Sequence, residues 1–152
     1  MESAKFLVTE ECGRLARWLR LCGYDTSLAP ARPLETLYRM AYNESRIIVT
    51  RNRRVRPSSV FRVVQLSSQD LEAQLSQLMQ EIHAPIASAK AFSRCDQCNV
   101  PVERIEKSLV KERVPPYVFQ TQQQFHTCPS CYRIYWPATH WQRARSFLEQ
   151  II

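Results

Sequence analysis

Four of the six cysteines come in two pairs, Cys95-Asp96-Gln97-Cys98 and Cys128-Pro129-Ser130-Cys131, with 29 residues between the pairs. Each Cys-x-x-Cys knuckle offers two thiolates from one tight turn. Two knuckles supply the four soft ligands that tetrahedral zinc requires. Four thiolates leave no open position for a reacting water, so the pattern predicts a structural zinc in a ribbon-like hairpin. Two disulfides or four unliganded thiols are the competing reading. The opening MESAKFLVTEECGR lacks the apolar core of a signal peptide, so a cytoplasmic, reducing location is expected, where such pairs hold metal more often than they oxidise. His126 and His140 are substitute ligands that four cysteines make unnecessary. Cys12 and Cys22 stand apart and read as small apolar core residues.

The other residues suited to chemistry follow two apolar runs. Thr9, Glu10 and Glu11 follow KFLV, and Arg51, Asn52 and Arg53 follow IIVT. Metal-dependent phosphodiester cleavage needs several carboxylates to hold Mg²⁺ or Mn²⁺. Glu10 and Glu11, with Glu35 and Asp70 as more distant additions and Asn52 neutral, make a thin acidic set. Glu10 and Glu11 read equally well as first-turn acids facing a helix dipole. Arginines are more plentiful. Arg14, Arg17 and Arg20 recur every third residue, and Arg51, Arg53, Arg54 and Arg56 crowd one short stretch. The second group suits phosphate, which guanidinium binds bidentately. The first reads as well as a solvated face with local ion pairs.

The 152 residues carry 21 Lys+Arg against 14 Asp+Glu, a net charge of +7, which favours a polyanionic partner, nucleic acid before an acidic membrane surface. The charge divides as +3 up to Pro85 (12 basic, 9 acidic) and +4 beyond it (9 basic, 5 acidic), so no single tail explains it. Only 2 glycines are present, which excludes dinucleotide and Walker A loops. No apolar run is long enough for a membrane span.

The elements that must position these residues follow from periodicity. Strands are expected over Lys5–Val8, Asp25–Leu28, Ile47–Thr50 and Val60–Leu66. Helices are expected over Glu10–Cys22, with Leu15, Trp18, Leu19 and Cys22 inward and Gly23 as stop, and over Leu34–Asn43. A third helix starts after Ser67 and Ser68 as caps, with Leu71, Leu75, Leu78, Met79 and Ile82 inward. Strands alternating with helices imply an α/β fold, a mainly parallel sheet flanked by helices. Ala84–Lys90 reads as a linker, dividing the chain into an α/β domain (1–85) and a small zinc-ribbon domain (86–152). In the second domain Val114–Gln120 and Phe125–Trp136 look like strands and Thr139–Ile152 like a closing helix. Tyr132, Tyr135, Trp136, His140 and Trp141 are expected either to pack the ribbon or to stack on bases.

The stretches KFLVTEECGRLARWLRLCGYDT, RIIVTRNRR, SRCDQCNVPVERI, VPPYV and FHTCPSCYRIYWPATHW, in that order, resemble the Mut7-C family, a PIN-like ribonuclease domain fused to a zinc ribbon. The resemblance implies a PIN-like sheet, a zinc ribbon and an RNA-directed role. That family typically reads KFLVD at the first strand end and LLTRD at the later one. Here those acids become Thr9 and Asn52, at positions where PIN-like nucleases place metal-binding aspartates. Three readings follow. The favoured one is an RNA-binding protein, acting in RNA processing or on ribonucleoprotein, with a nuclease site (Thr9, Glu10, Glu11, Glu35, Asn52) weakened by loss of two acids and RNA contacts from Arg14, Arg17, Arg51, Arg53, Arg54 and Arg56. The second is an active Mg- or Mn-dependent ribonuclease using Glu10, Glu11 and Glu35. The third is a zinc-ribbon protein-interaction module.

Overall fold

The computed structural model describes residues 4–30, 33–83, 93–137 and 146. Four strands, β1 (Phe6–Thr9), β2 (Thr26–Ala29), β3 (Ile47–Thr50) and β4 (Val63–Gln65), form a parallel sheet in the order β2-β1-β3-β4. Alternation along each strand sends successive side chains to opposite faces. Phe6, Val8, Val49 and Val64 pack under α1 (Gly13–Leu21) and α3 (Leu71–Ile82), together with Leu15, Leu19, Leu75 and Leu78. Leu7 and Ile48 pack on the other face against Leu37 and Ala41 of α2 (Leu34–Glu44), and against Val55. Both faces of the sheet are therefore covered, which is why its strands read as unbroken apolar runs.

Local chemistry sets the boundaries. Residues Glu10–Cys12 form a 3-10 turn, and α1 proper begins only at Gly13, so the helix expected from Glu10 is divided. Gly23 ends α1 with φ 92°, its N–H returning to the Arg20 carbonyl at 2.8 Å and that of Tyr24 to Leu19 at 2.9 Å. The strand expected over Val60–Leu66 shrinks to three residues. Ser58 and Phe61 close a turn, with the Val60 N–H on Ser58 Oγ at 3.1 Å, and the chain joins β3 only at Val63. Asp70, rather than Ser67 or Ser68, caps α3 by accepting from the Ala73 N–H at 3.0 Å, while Ser68 Oγ receives the Asp70 N–H.

The C-terminal part holds an antiparallel sheet, β5 (Glu103–Ile105), β6 (Phe125–Thr127) and β7 (Ile134–Tyr135), in the order β5-β6-β7. The single strand expected over Phe125–Trp136 is split by the second knuckle into β6 and β7. Val114–Gln120 is not a strand. Pro116–Thr121 is a short helix, α4, with Pro116 at its first position, where a fixed φ and a missing N–H cost nothing. Val110, Val114 and Val118, spaced by four, bury with Phe125 in a small core that Trp136 flanks. The linker at Ala84–Lys90 and the closing helix at Thr139–Ile152, with His140 and Trp141, lie outside the described residues, Ser146 excepted.

The first knuckle rests on the edge of the parallel sheet. Asn99 accepts the Thr26 N–H of β2 at 2.9 Å and donates to Asp25 Oδ1 at 2.8 Å. Arg20, buried at the end of α1, donates to the carbonyls of Thr26 (2.8 Å), Asp96 (2.9 Å) and Gln97 (3.3 Å). Arg17 pairs with the Asp96 carboxylate at 3.1 Å.

Candidate nuclease edge and metal centre

The strand order reverses between β1 and β3, and in open parallel sheets the crevice beyond the carboxyl ends at such a reversal is where ligands bind. The register pairs Val8 with Val49 and so sets Thr9 beside Thr50, both fully buried. Their hydroxyl oxygens lie 2.8 Å apart, and Glu11 Oε1 is 2.6 Å from Thr9 Oγ1 and 3.0 Å from Thr50 Oγ1. Two hydroxyl protons serve these three contacts. Thr50 donates to Glu11, and Thr9 donates to Glu11 or to Thr50. The Arg51 N–H adds a third donor to the same carboxylate oxygen at 3.2 Å. Burial alone would raise the Glu11 pKa. Hydrogen bonds from Thr9, from its own backbone, from the Arg51 N–H and from Thr50 outweigh it and hold the carboxyl below its ordinary value.

Glu11 therefore turns toward residue 9. The 3-10 turn, tighter than an α-helix, carries it over β1 and β3. Asn52 shares this edge through its backbone, its N–H on Thr50 Oγ1 at 3.0 Å, while its side chain accepts the Arg54 N–H at 3.0 Å and shapes the loop. Glu10 is exposed on the same 3-10 turn. Glu35 is not brought into the cluster: it lies in the first turn of α2 and pairs with Arg39 at 3.3 Å. Asp70 serves as the cap of α3. Thr50 is the residue that motif reading passed over. The signal that finds it is register, since Thr9 and Thr50 each follow one member of the Val8–Val49 pair in parallel strands and so must sit side by side.

Arg51, Arg53, Arg54 and Arg56 occupy the loop leaving β3, at this edge. Arg53, Arg54 and Arg56 are exposed and none of the four forms an ion pair with a described residue. Arg14 is exposed on the first turn of α1, while Arg17 is engaged by Asp96. Cys12 and Cys22 are buried in the core, and burial raises their thiols to about 11 and about 12, so neither is a nucleophile at neutral pH.

The two knuckles converge. The sulfurs of Cys95, Cys98, Cys128 and Cys131 all lie within 4.8 Å of one another, with Cys95 and Cys131 at 3.7 Å. Four sulfurs each about 2.3 Å from a tetrahedral zinc would be separated by about 3.8 Å. Backbone N–H groups of Cys98, Ser130 and Cys131 point at Cys95 and Cys128 sulfurs at 3.4 Å, and the Tyr135 hydroxyl lies 2.9 Å from Cys95 Sγ and 2.6 Å from Asp96 Oδ1. The backbone N–H donors stabilise thiolate charge around a metal, while the one Tyr135 hydroxyl proton goes to the Asp96 carboxylate. The donor set fits a structural zinc, held by these four thiolates, which would lock the two hairpins together. His126 is on β6, paired with Arg104 and Tyr135, and takes no part in the sulfur cluster. Tyr135 sits against the sulfur cluster and Trp136 flanks the ribbon core, while Tyr132, beside the second knuckle, and Tyr117, on α4, are exposed.

A flanked four-stranded parallel sheet joined to a four-cysteine centre defines the class: an α/β domain carrying a ribbon-type metal site. The chain belongs to the Mut7-C RNAse domain family, whose sequence model matches residues 4–148. That membership points to a nuclease-like, RNA-related role. Among curated proteins and solved structures, nothing matches the chain.

Proposed function

We propose that this chain is an RNA-binding protein that keeps the PIN-like ribonuclease scaffold while its nuclease site is weakened, and that it acts in RNA processing or on ribonucleoprotein. Two domains carry this role, residues 1–85 and 86–152, the second stapled by zinc. The observation that carries the reading is the state of Glu11. It is the one carboxylate hydrogen-bonded at the β1–β3 crevice among the described residues, and one of its oxygens already accepts from Thr50 and the Arg51 N–H and lies 2.6 Å from Thr9 Oγ1. A divalent ion of the Mg²⁺ type needs near-octahedral oxygen ligation with carboxylates free to face it. Two threonine hydroxyls and the amide of Asn52 are neutral and already bonded to one another or to the loop. The unpaired arginines beside the crevice support an anionic partner held there without being cut. A four-thiolate centre suits a reducing, cytoplasmic setting.

The test is a binding and cleavage assay on mixed cellular RNA with Mn²⁺, comparing the wild type with the double variant Thr9→Asp, Asn52→Asp. Salt-sensitive binding by both, with cleavage gained only by the variant, is the expected result. Equal cleavage by both would refute a weakened site, and no binding at low salt would refute the RNA reading.

A further inference from the structure

The connection from β3 to β4 joins two parallel strands, so it must travel the length of the sheet from carboxyl to amino ends. It does so in 12 residues (51–62) with no helix, carrying five arginines and no acid. It is fixed in place throughout. Val55 is fully buried in the core beneath α2, Gln65 Nε2 donates to the Val55 carbonyl at 2.6 Å, and the Arg56 N–H meets the Tyr38 hydroxyl at 3.1 Å. Phe61 stacks on Tyr38 with ring centres 5.1 Å apart. A backbone anchored at these points presents its cations with little backbone ordering on binding.

At its far end the connection forms one wall of an open groove of about 340 Å³, facing the end of α2. Ser45, Ser58 and Ser59 line it with Val60 and Phe61, and Arg62 lies at its edge, its guanidinium turned to the Glu81 carbonyl of α3. Arg46 also lines the groove but is neutralised by Asp25 and Glu44, each at 2.9 Å. Arg62 is different. Its guanidinium donates to the Glu81 carbonyl at 2.8 Å, which orients the side chain without cancelling its charge. Val60 is 59% exposed at the rim.

We propose that this groove is a nucleotide subsite for single-stranded RNA, reached along the arginine track of residues 51–56, so that the strand runs over the β3–β4 connection and away from the Glu11 crevice. The inference rests on the RNA reading above and specifies its path. Arg62 meets a phosphate, the serines meet phosphate or ribose hydroxyls, and Val60 with Phe61 gives a base an apolar face. The basic track without acids favours a strand of phosphates over any neutral or cationic ligand.

Fluorescence anisotropy with labelled oligouridylate tests it, using the full chain and variants whose melting matches the wild type. Arg62→Glu and the groove-filling Ser59→Trp should each weaken binding by about tenfold. Lys111→Glu, a control of equal charge change in the ribbon, should stay within about twofold. Arg62→Glu should also reduce the slope of log K against log salt by about 0.7, one phosphate contact on a single strand, while Ser59→Trp leaves that slope unchanged. If both groove variants bind like the Lys111→Glu control while combined Arg51→Ala, Arg53→Ala, Arg54→Ala loses affinity, the groove is overturned and the RNA reading stands. If the wild type binds no oligouridylate at low salt, both fall.

Discussion

Arg20 and Asp96 join the two halves of the molecule: the guanidinium at the end of α1 donates to the Asp96 carbonyl at 2.9 Å, inside the first cysteine knuckle. The same side chain holds the Thr26 carbonyl of β2 at 2.8 Å. Burial lowers the Arg20 pKa, and the thiolates and carboxylates near the knuckle, Cys95 first, oppose that effect. The group stays charged, so its burial is compensated by carbonyl acceptors from both sides of the interface. Arg17 adds an outer ion pair to the Asp96 carboxylate, while Asn99, in left-handed backbone with φ 62°, clasps Thr26 and Asp25. The arginine row on α1 is therefore in part an interface to the ribbon.

Arg20→Met should test that interface. Methionine fills similar space but leaves the carbonyls of Thr26, Asp96 and Gln97 without this donor. Hydrogen bonds from a charged donor contribute about 1.5–3 kcal/mol, so a stability loss of about 2–3 kcal/mol is expected in urea denaturation. Arg17→Met, at a side chain 57% exposed, should change stability by less than about 1 kcal/mol. Equal effects of the two substitutions would show that the buried bonds do not carry the interface.

Glu11 gives a pH dependence with a definite sign. Its folded pKa lies below the ordinary value of 4.5 because Thr9, Arg51 and Thr50 donate to the ionised form more than burial disfavours it. A depressed carboxyl contributes stability above its unfolded pKa and loses that contribution as pH falls through the folded value. The stability difference between wild type and Glu11→Gln should therefore be constant at neutral pH and shrink as pH drops below about 4.5, read from urea melts at successive pH values. A difference that grows on acidification would mean the carboxyl is held protonated, against the donors that favour its ionised form.

Periodicity located the parallel sheet because its strands are apolar on both faces, and ligand spacing located the sulfur cluster because zinc geometry admits few patterns. The elements it missed share a physical cause. At Val114–Gln120, β-branched residues favoured a strand, yet the Pro115-Pro116 pair and the spacing Val110, Val114, Val118 dictate a helix turn packed on Phe125. At the crevice, it was the family resemblance that marked Thr9 and Asn52 as positions where an acid is expected. The inward turn of Glu11 depends on a 3-10 turn and on strand register, which no local motif encodes. Glu35 looked like a neighbour only because its position on α2 could not be placed against the strand ends.

The ribbon should depend on a metal at its four cysteines more than on its own packing. Its described core is four buried side chains, Val110, Val114, Val118 and Phe125, too few to hold a unit of that size. The purified protein should carry about one zinc per chain, and cobalt in its place should give the charge-transfer absorption of a four-thiolate site. Removing the metal with a chelator unlocks Cys95 and Cys98 from Cys128 and Cys131, and with them the Asp96–Asn99 turn that Arg20 and Thr26 grip. The effect should therefore reach the parallel sheet. Amide hydrogen exchange at Thr26, whose N–H is bonded to Asn99, should accelerate on chelation, while amides of β3, which lies beyond β1 from the ribbon, stay protected. Cys128→Ser should reproduce that pattern, since it removes one ligand from the knuckle that does not touch the sheet. Unchanged exchange at Thr26 after the zinc has left would show that the knuckle keeps its shape without metal, and that the four thiols are not what holds the ribbon to the sheet.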